Sequence, residues 1–136
     1  NLDNTSIESV AKGGYVVKKE NKKNDFTLIA AGSEVKLALE ASKLLAEKGV
    51  DTRVVSIPCF ELFDAQGEDY IESILGNDYN NRLFIEMASP YGLYKYAKNV
   101  MAINKFGISG PANQVIELYG FTPEKVYERV LKILKK

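Results

Sequence analysis

The chain contains no histidine. It therefore has no side chain whose unperturbed pKa lies near neutrality, which excludes an ordinary Ser-His-Asp or Cys-His relay and a histidine-ligated metal site. Cysteine is present once, at Cys59, so an internal disulfide is excluded as well. Neither sign of charge is in excess: 18 Lys and Arg balance 18 Asp and Glu, interspersed along the chain. No net field draws the chain to phosphate backbones or anionic lipid. There is no uninterrupted apolar run of bilayer length, and no charged start followed by an apolar signal stretch. These absences set three expectations: no nucleic-acid partner, no membrane, and a cytoplasmic location. The chain also opens at Asn1 without a methionine, which suits an excised piece as well as it suits further residues upstream.

What is present suits one globular domain. At 136 residues and 46% hydrophobic content, folding buries roughly two thirds of the unfolded surface. Phe26 to Ala31, FTLIAA, is a short apolar run between Lys22, Lys23, Asn24 and Asp25 on one side and Gly32 on the other. It predicts a central strand buried on both faces. Ser33 is the expected cap of a following helix, with Val35, Ala38, Leu39, Ser42, Leu45 and Ala46 as its inner face and Gly49 as its left-handed stop. Lys36 with Glu40 and Lys43 with Glu47 lie four apart on the outer face, pairs worth about 0.3 kcal/mol each.

Arg53 to Ile57 is a second strand, and strand, helix, strand units close right-handed with parallel strands. A short helix around Gly67 to Leu75, a polar turn at Gly76 to Asn81 and a strand from Arg82 to Met87 come next. A helix over Pro90 to Ala97 and a weaker strand at Val100 to Ile103 follow, then a helix from Ser109, Gly110 and Pro111 to Gly120. Thr122 as cap, Pro123 in the first turn and an apolar face of Val126, Tyr127, Val130, Leu131 and Leu134 define a docked terminal helix, whose negative end Lys132, Lys135 and Lys136 complement. Tyr15 to Lys18 is expected at the sheet edge. The fold class is α/β: a three-layer α/β/α sandwich around a five-stranded, mostly parallel mixed sheet.

Side chains able to do chemistry are few. Cys59 follows Pro58 beyond a strand end, where a nucleophile could sit, but without an imidazole to activate it a small hydrophobe is the commoner role. Glu61 and Asp64 share one face of a short helix, either as an acid and base pair or, with nothing apolar to raise a pKa, in a capping or intersubunit role. Gly32, Ser33 and Glu34 form a strand-to-helix turn of the kind that binds phosphates in doubly wound sheets. A single glycine is far from a phosphate-loop motif, and Glu34 would repel an anion, so a plain cap is the competing reading. Tyr91, Tyr94 and Tyr96 with Lys95 and Lys98 could stack on bases, although neutral overall charge favours packing or subunit contact.

Seven segments in order point to one family: GGYV at 13 to 16, LIAAGSEV at 28 to 35, VSIPCFELFDAQ at 55 to 66, IEM at 85 to 87, YGLYKY at 91 to 96, FGISGP at 106 to 111 and YGFTPEKV at 119 to 126. Together they resemble the last domain of transketolases, across nearly the whole length. ELFDAQ separates this resemblance from the related ends of 1-deoxyxylulose-5-phosphate synthase and the β subunit of 2-oxoacid dehydrogenase E1. Tyr94 stands where the family often has His, so any role of that His is not carried over.

The resemblance implies that residues 1–12 are a linker from a middle domain and residues 13–136 the C-terminal domain. NLDNTS is similar to the residues just past the run that closes that middle domain. The resemblance also implies an enzyme that moves a two-carbon ketol unit between sugar phosphates, with thiamine diphosphate and a divalent metal (Mg or Ca) bound in domains outside this chain. Its implied partners are those domains and a second subunit of a homodimer. No catalytic, cofactor-binding or metal residue maps here. The alternative of another class is a stand-alone module binding a phosphorylated ligand at Gly32, Ser33 and Glu34.

Overall fold

The computed structural model describes residues 11–32, 34–76, 78–86, 95–102 and 122–136. The strands are β1 (Tyr15–Lys18), β2 (Phe26–Ala30), β3 (Thr52–Ser56), β4 (Arg82–Glu86) and β5 (Asn99–Ala102). They form one five-stranded sheet in the order β1-β3-β2-β4-β5. β3, β2, β4 and β5 run parallel, and β1 joins antiparallel to β3 at one edge.

Alternation along the central strands divides the apolar residues between two cores. Leu28, Val54, Leu83 and Ile85 face α1 (Glu34–Glu47) and α4 (Pro123–Leu134), where Ala38, Ala41, Leu45, Val126 and Val130 complete one fully buried cluster. Ile29, Val55 and Phe84 face the other way, onto α2 (Phe60–Ala65) and α3 (Glu68–Leu75), meeting Phe63 and Leu75. Helices on both faces make the expected three layers. Every residue of β2 is buried, as its largely apolar run predicts for a strand covered on both faces, and Thr27 is satisfied by donating to Leu75 O at 3.0 Å.

The inner face of α1 holds its expected Ala38, Ser42 and Leu45, with Ala41 added and Ala46 lost. Ala38, Ala41, Ser42 and Leu45 are buried together with Glu34, whereas Ala46 is exposed and Val35 and Leu39 only half-buried. Small residues on this stripe let the helix lie close to the sheet, and Ser42 Oγ meets Thr52 Oγ1 at 2.6 Å inside that contact. Gly49 stops the helix at φ +83°, the left-handed conformation expected of it. Among the described residues the ion pairs are Arg53 with Glu20, Lys95 with Asp64 and Lys125 with Glu128. The pairs expected on the outer face of α1 stay open, because long exposed side chains gain too little to give up their freedom.

α4 begins as its sequence requires: Thr122 Oγ1 accepts the Lys125 N–H at 3.2 Å and Pro123 occupies the first turn. Its fully buried residues are Val126 and Val130; Tyr127, Leu131 and Leu134 pack beside them, half-buried. The expected cap at Ser33, Met87, nearly all of the helix at 90 to 97, the end of the weaker strand at Ile103, and the helix at 109 to 120 lie outside the described residues.

Candidate functional site

Open parallel sheets bind ligands where successive connections leave in opposite directions, at the carboxyl ends of the strands. Here that point lies between β2 and β4, since β2 is flanked by β3 on one side and β4 on the other. Gly32 and Glu34, which follow β2, stand at this point. Gly32 is exposed at φ +61°, and a Cβ on it would meet nothing within 4 Å. Glu34 is only 8% exposed. The Glu34 N–H donates to Ala31 O at 3.4 Å and the Val35 N–H to Gly32 O at 3.3 Å. Both donors are thus used within the turn itself, and Glu34 is a buried residue.

A denser arrangement occupies the next corner of the sheet, and it is assembled from three of the sequence motifs. α2 carries ELFDA of the signature. Its Cys59 N–H donates to Gly13 O at 3.1 Å, and its first turn closes with the Phe63 N–H on Cys59 O, also at 3.1 Å. Gly13 lies so close that a Cβ there would run into both the Cys59 carbonyl and the Phe63 nitrogen, with Leu62 Cβ at 2.8 Å. A Cβ on Gly14 would press on the Phe63 ring at 2.6 Å. Both glycines of GGYV are therefore needed for the approach of the chain to α2.

The far side of α2 is tied to the YGLYKY motif. Asp64 accepts from Tyr96 Oη at 2.8 Å through Oδ1 and from Lys95 Nζ at 2.6 Å through Oδ2. Tyr96 stacks on Phe60 at 5.5 Å between ring centres and tilts against Phe63 and Phe84. Burial, followed by donation to the Asp64 carboxylate, pushes the Tyr96 phenol up to about 12. Lys95 is held protonated above its ordinary range by that same carboxylate. Tyr70 Oη closes the corner by donating to Gly14 O at 2.9 Å, and burial raises its phenol too.

Of the residues singled out from sequence, Asp64 and Glu61 do not form an acid and base pair. Asp64 is engaged by Lys95 and Tyr96, and Glu61 is exposed. Cys59 sits at the cap position of α2, half-buried, with its backbone groups used in the Gly13 and Phe63 bonds. Tyr91 and Tyr94 lie outside the described residues; Tyr96 is packed in the core rather than offered for stacking.

Sequence reasoning missed a polar network at the opposite end of the sheet. Arg53 donates to both carboxylate oxygens of Glu20 at 2.8 Å and to the Ser73 and Ile74 carbonyls at 3.0 Å. It neutralises Glu20 and caps the C-terminus of α3 at once. The Arg53 hydrogen bond holds the Glu20 carboxyl below the ordinary carboxylate range against the opposing effect of burial. Arg82 is 7% exposed, bonds the Tyr96 and Gly76 carbonyls, and leaves its Nε without a partner. Burial lowers its pKa while Glu72 and Asp78 oppose.

A cavity of about 350 Å³ opens beside this network. Its lining includes three acidic residues, Glu20, Asp25 and Asp78, against Lys23 and Arg53, a balance that does not suit a diphosphate. Among the described residues no group of three or more His, Cys, Asp or Glu could hold a metal ion. No helix among them is long and apolar enough to cross a membrane.

An open, mostly parallel α/β sheet, layered on both faces and built around a motif-rich structural corner, is the class of domain that these features define. The chain belongs to the transketolase-like C-terminal domain family, whose pattern it matches over residues 13–122. It is 43% identical over 133 residues to a transketolase of Staphylococcus epidermidis, matching 95% of this chain and 20% of that protein. A crystal structure of Pichia stipitis transketolase in complex with sedoheptulose 7-phosphate superposes with a TM-score of 0.86 at 39% identity, covering 99% of this chain and 20% of that one. Leishmania mexicana transketolase gives a TM-score of 0.84 at 34% identity, over 97% of this chain and 19% of that one. The chain thus spans about a fifth of the length of the relatives it matches.

Proposed function

We propose that the chain serves as the third, C-terminal domain of a transketolase, with residues 13–136 forming the domain and residues 1–12 the linker into it. The whole enzyme transfers a two-carbon ketol unit from a ketose phosphate to an aldose phosphate in the pentose phosphate pathway, in the cytoplasm. Thiamine diphosphate and its divalent metal, Mg or Ca, belong to the other domains. Among the described residues no group of three or more His, Cys, Asp or Glu could hold that metal.

One observation carries this reading: α2 unites three separated family motifs in a single packed corner through Gly13, Phe63, Asp64 and Tyr96. Gly13, Phe63, Asp64 and Tyr96 of these motifs are used for architecture. The domain's task is accordingly to support the remaining domains and a second subunit of a homodimer. The outer side of α2 supports a contact role, since Leu62 is 46% exposed beside Glu61 and Gln66. Donors used within the turn and the buried Glu34 favour a helix cap over a phosphate site at Gly32 to Glu34.

The test is the mass of the native gene product, from mass spectrometry of the band recognised by an antibody against this domain. A polypeptide several times longer supports the proposal; a product of about this length would overturn it. The isolated chain is expected neither to bind thiamine diphosphate in calorimetry nor to turn over xylulose 5-phosphate, and micromolar cofactor binding counts against the reading.

A further inference from the structure

The loop between β1 and β2 grips an anion. Backbone N–H groups of three consecutive residues, Asn21, Lys22 and Lys23, donate to the Asp51 carboxylate at 2.7, 2.6 and 3.0 Å. Successive N–H groups converging on one point make a concavity of the kind that holds phosphate in many proteins. Asn21, Lys22 and Lys23 are exposed, and Lys18 adds a favourable charge to the position that Asp51 fills. Two carboxylates stand nearby: Asp25 Oδ2, which accepts the Asp51 N–H at 2.9 Å, and Glu20, which is held by Arg53.

The loop does not depend on the Asp51 side chain alone for its shape. Glu20 at its start is held by Arg53 through two bonds, and the Asp25 N–H at its end donates to the Asp51 carbonyl at 2.8 Å. Both ends stay anchored when the carboxylate is removed, so the three donors remain together and unsatisfied.

We infer that Asn21–Lys23 is a preformed oxyanion site whose resident ligand is the chain's own Asp51 carboxylate, and that phosphate or sulfate enters it once that carboxylate is gone. In the parent chain the tethered carboxylate competes at a high effective concentration, which keeps the site closed to free anions.

The experiment titrates the 136-residue chain and its Asp51→Ala variant with sulfate and with phosphate, at ionic strength matched by chloride, while amide NMR signals are followed. Excluded salts such as sulfate stabilise folded proteins in general, so the range is limited to concentrations that leave the parent's melting temperature unmoved. The expected result is a saturable shift of the Asn21, Lys22 and Lys23 amides in the variant, with recovery of its lost melting temperature, and no such shift in the parent. A folded variant whose three amides ignore both anions overturns the inference. If the variant does not fold in chloride, recovery of its spectrum in sulfate or phosphate supports the site, and failure to recover refutes it.

Discussion

Replacing Gly13 by alanine tests the corner around α2 most directly. The residue has φ +86°, and its missing Cβ would enter the space between the Cys59 carbonyl and the Phe63 nitrogen, which are bonded to each other as the first turn of α2. Holding an alanine at positive φ costs about 1 to 2 kcal/mol. Forcing a methyl into a filled space costs about 1 to 3 kcal/mol more. Restriction of the unfolded chain offsets about 0.4 to 1 kcal/mol, leaving a net loss of about 1 to 5 kcal/mol. For a chain of this size that lowers the melting temperature by about 4 to 16 °C. Gly14→Ala is expected to cost less, because its methyl meets the Phe63 ring rather than backbone and its φ lies outside the left-handed region. Urea denaturation of the parent and both variants, compared at equal slope, measures the difference. A Gly13→Ala change within about 0.5 kcal/mol of the parent, or one milder than Gly14→Ala, would refute the close-approach argument.

Val130→Ala should cost about 2 kcal/mol through lost burial and the cavity left behind, and more than Leu131→Ala, since Val130 is fully buried and Leu131 is not; the reverse order in chemical denaturation would mean that α4 docks on a different face. A double-mutant cycle of Asp64→Ala with Tyr96→Phe should give a coupling of about 1 kcal/mol, whereas Asp64→Ala with Lys95→Ala should give less, because that pair is exposed. Stability should fall on acidification. The Arg53 bond lowers Glu20, and at Asp51 burial pulls upward but the three N–H donors outweigh it and hold the carboxyl low. Depressed carboxyls contribute fully above the unfolded range near pH 4 and lose that contribution as pH falls through their folded values. A urea midpoint that is flat from about pH 6 down to about pH 3 would remove both from the stability account.

The central layers of this fold could be read from the chain alone, because β2 and α4 carry period and punctuation in their own residues. FTLIA is apolar apart from Thr27, and Thr122-Pro123 supplies a cap and a first-turn proline for a helix. What escaped were features whose two halves are far apart in the chain. Arg53 on a strand looks like a solvent-facing charge until Glu20, 33 residues earlier, is seen to grip it. Asp51 looks like a turn residue until the loop at 21 to 23 closes on it. The stripe of α1 was legible in its main residues, Ala38, Ser42 and Leu45, but its edge was not: Ala41 joins the buried face and Ala46 is exposed. The motifs revealed the family, while their physical purpose at α2 emerged only once Gly13, Phe63 and Tyr96 stood together.

The pairing of β1 has a consequence for how the chain behaves among its own copies. Tyr15 and Val16 face Ser56 and Val55 in step, and then the register slips, so that Lys18 rather than Val17 faces Val54. Val17 is pulled into the core and Lys18 reaches across to the Thr52 carbonyl. A short strand, bent by an extra residue and ending in lysines, is a poor template for strand addition. Intermolecular sheet growth from this side is thus obstructed in the native state, and clumping through it requires β1 to peel away first.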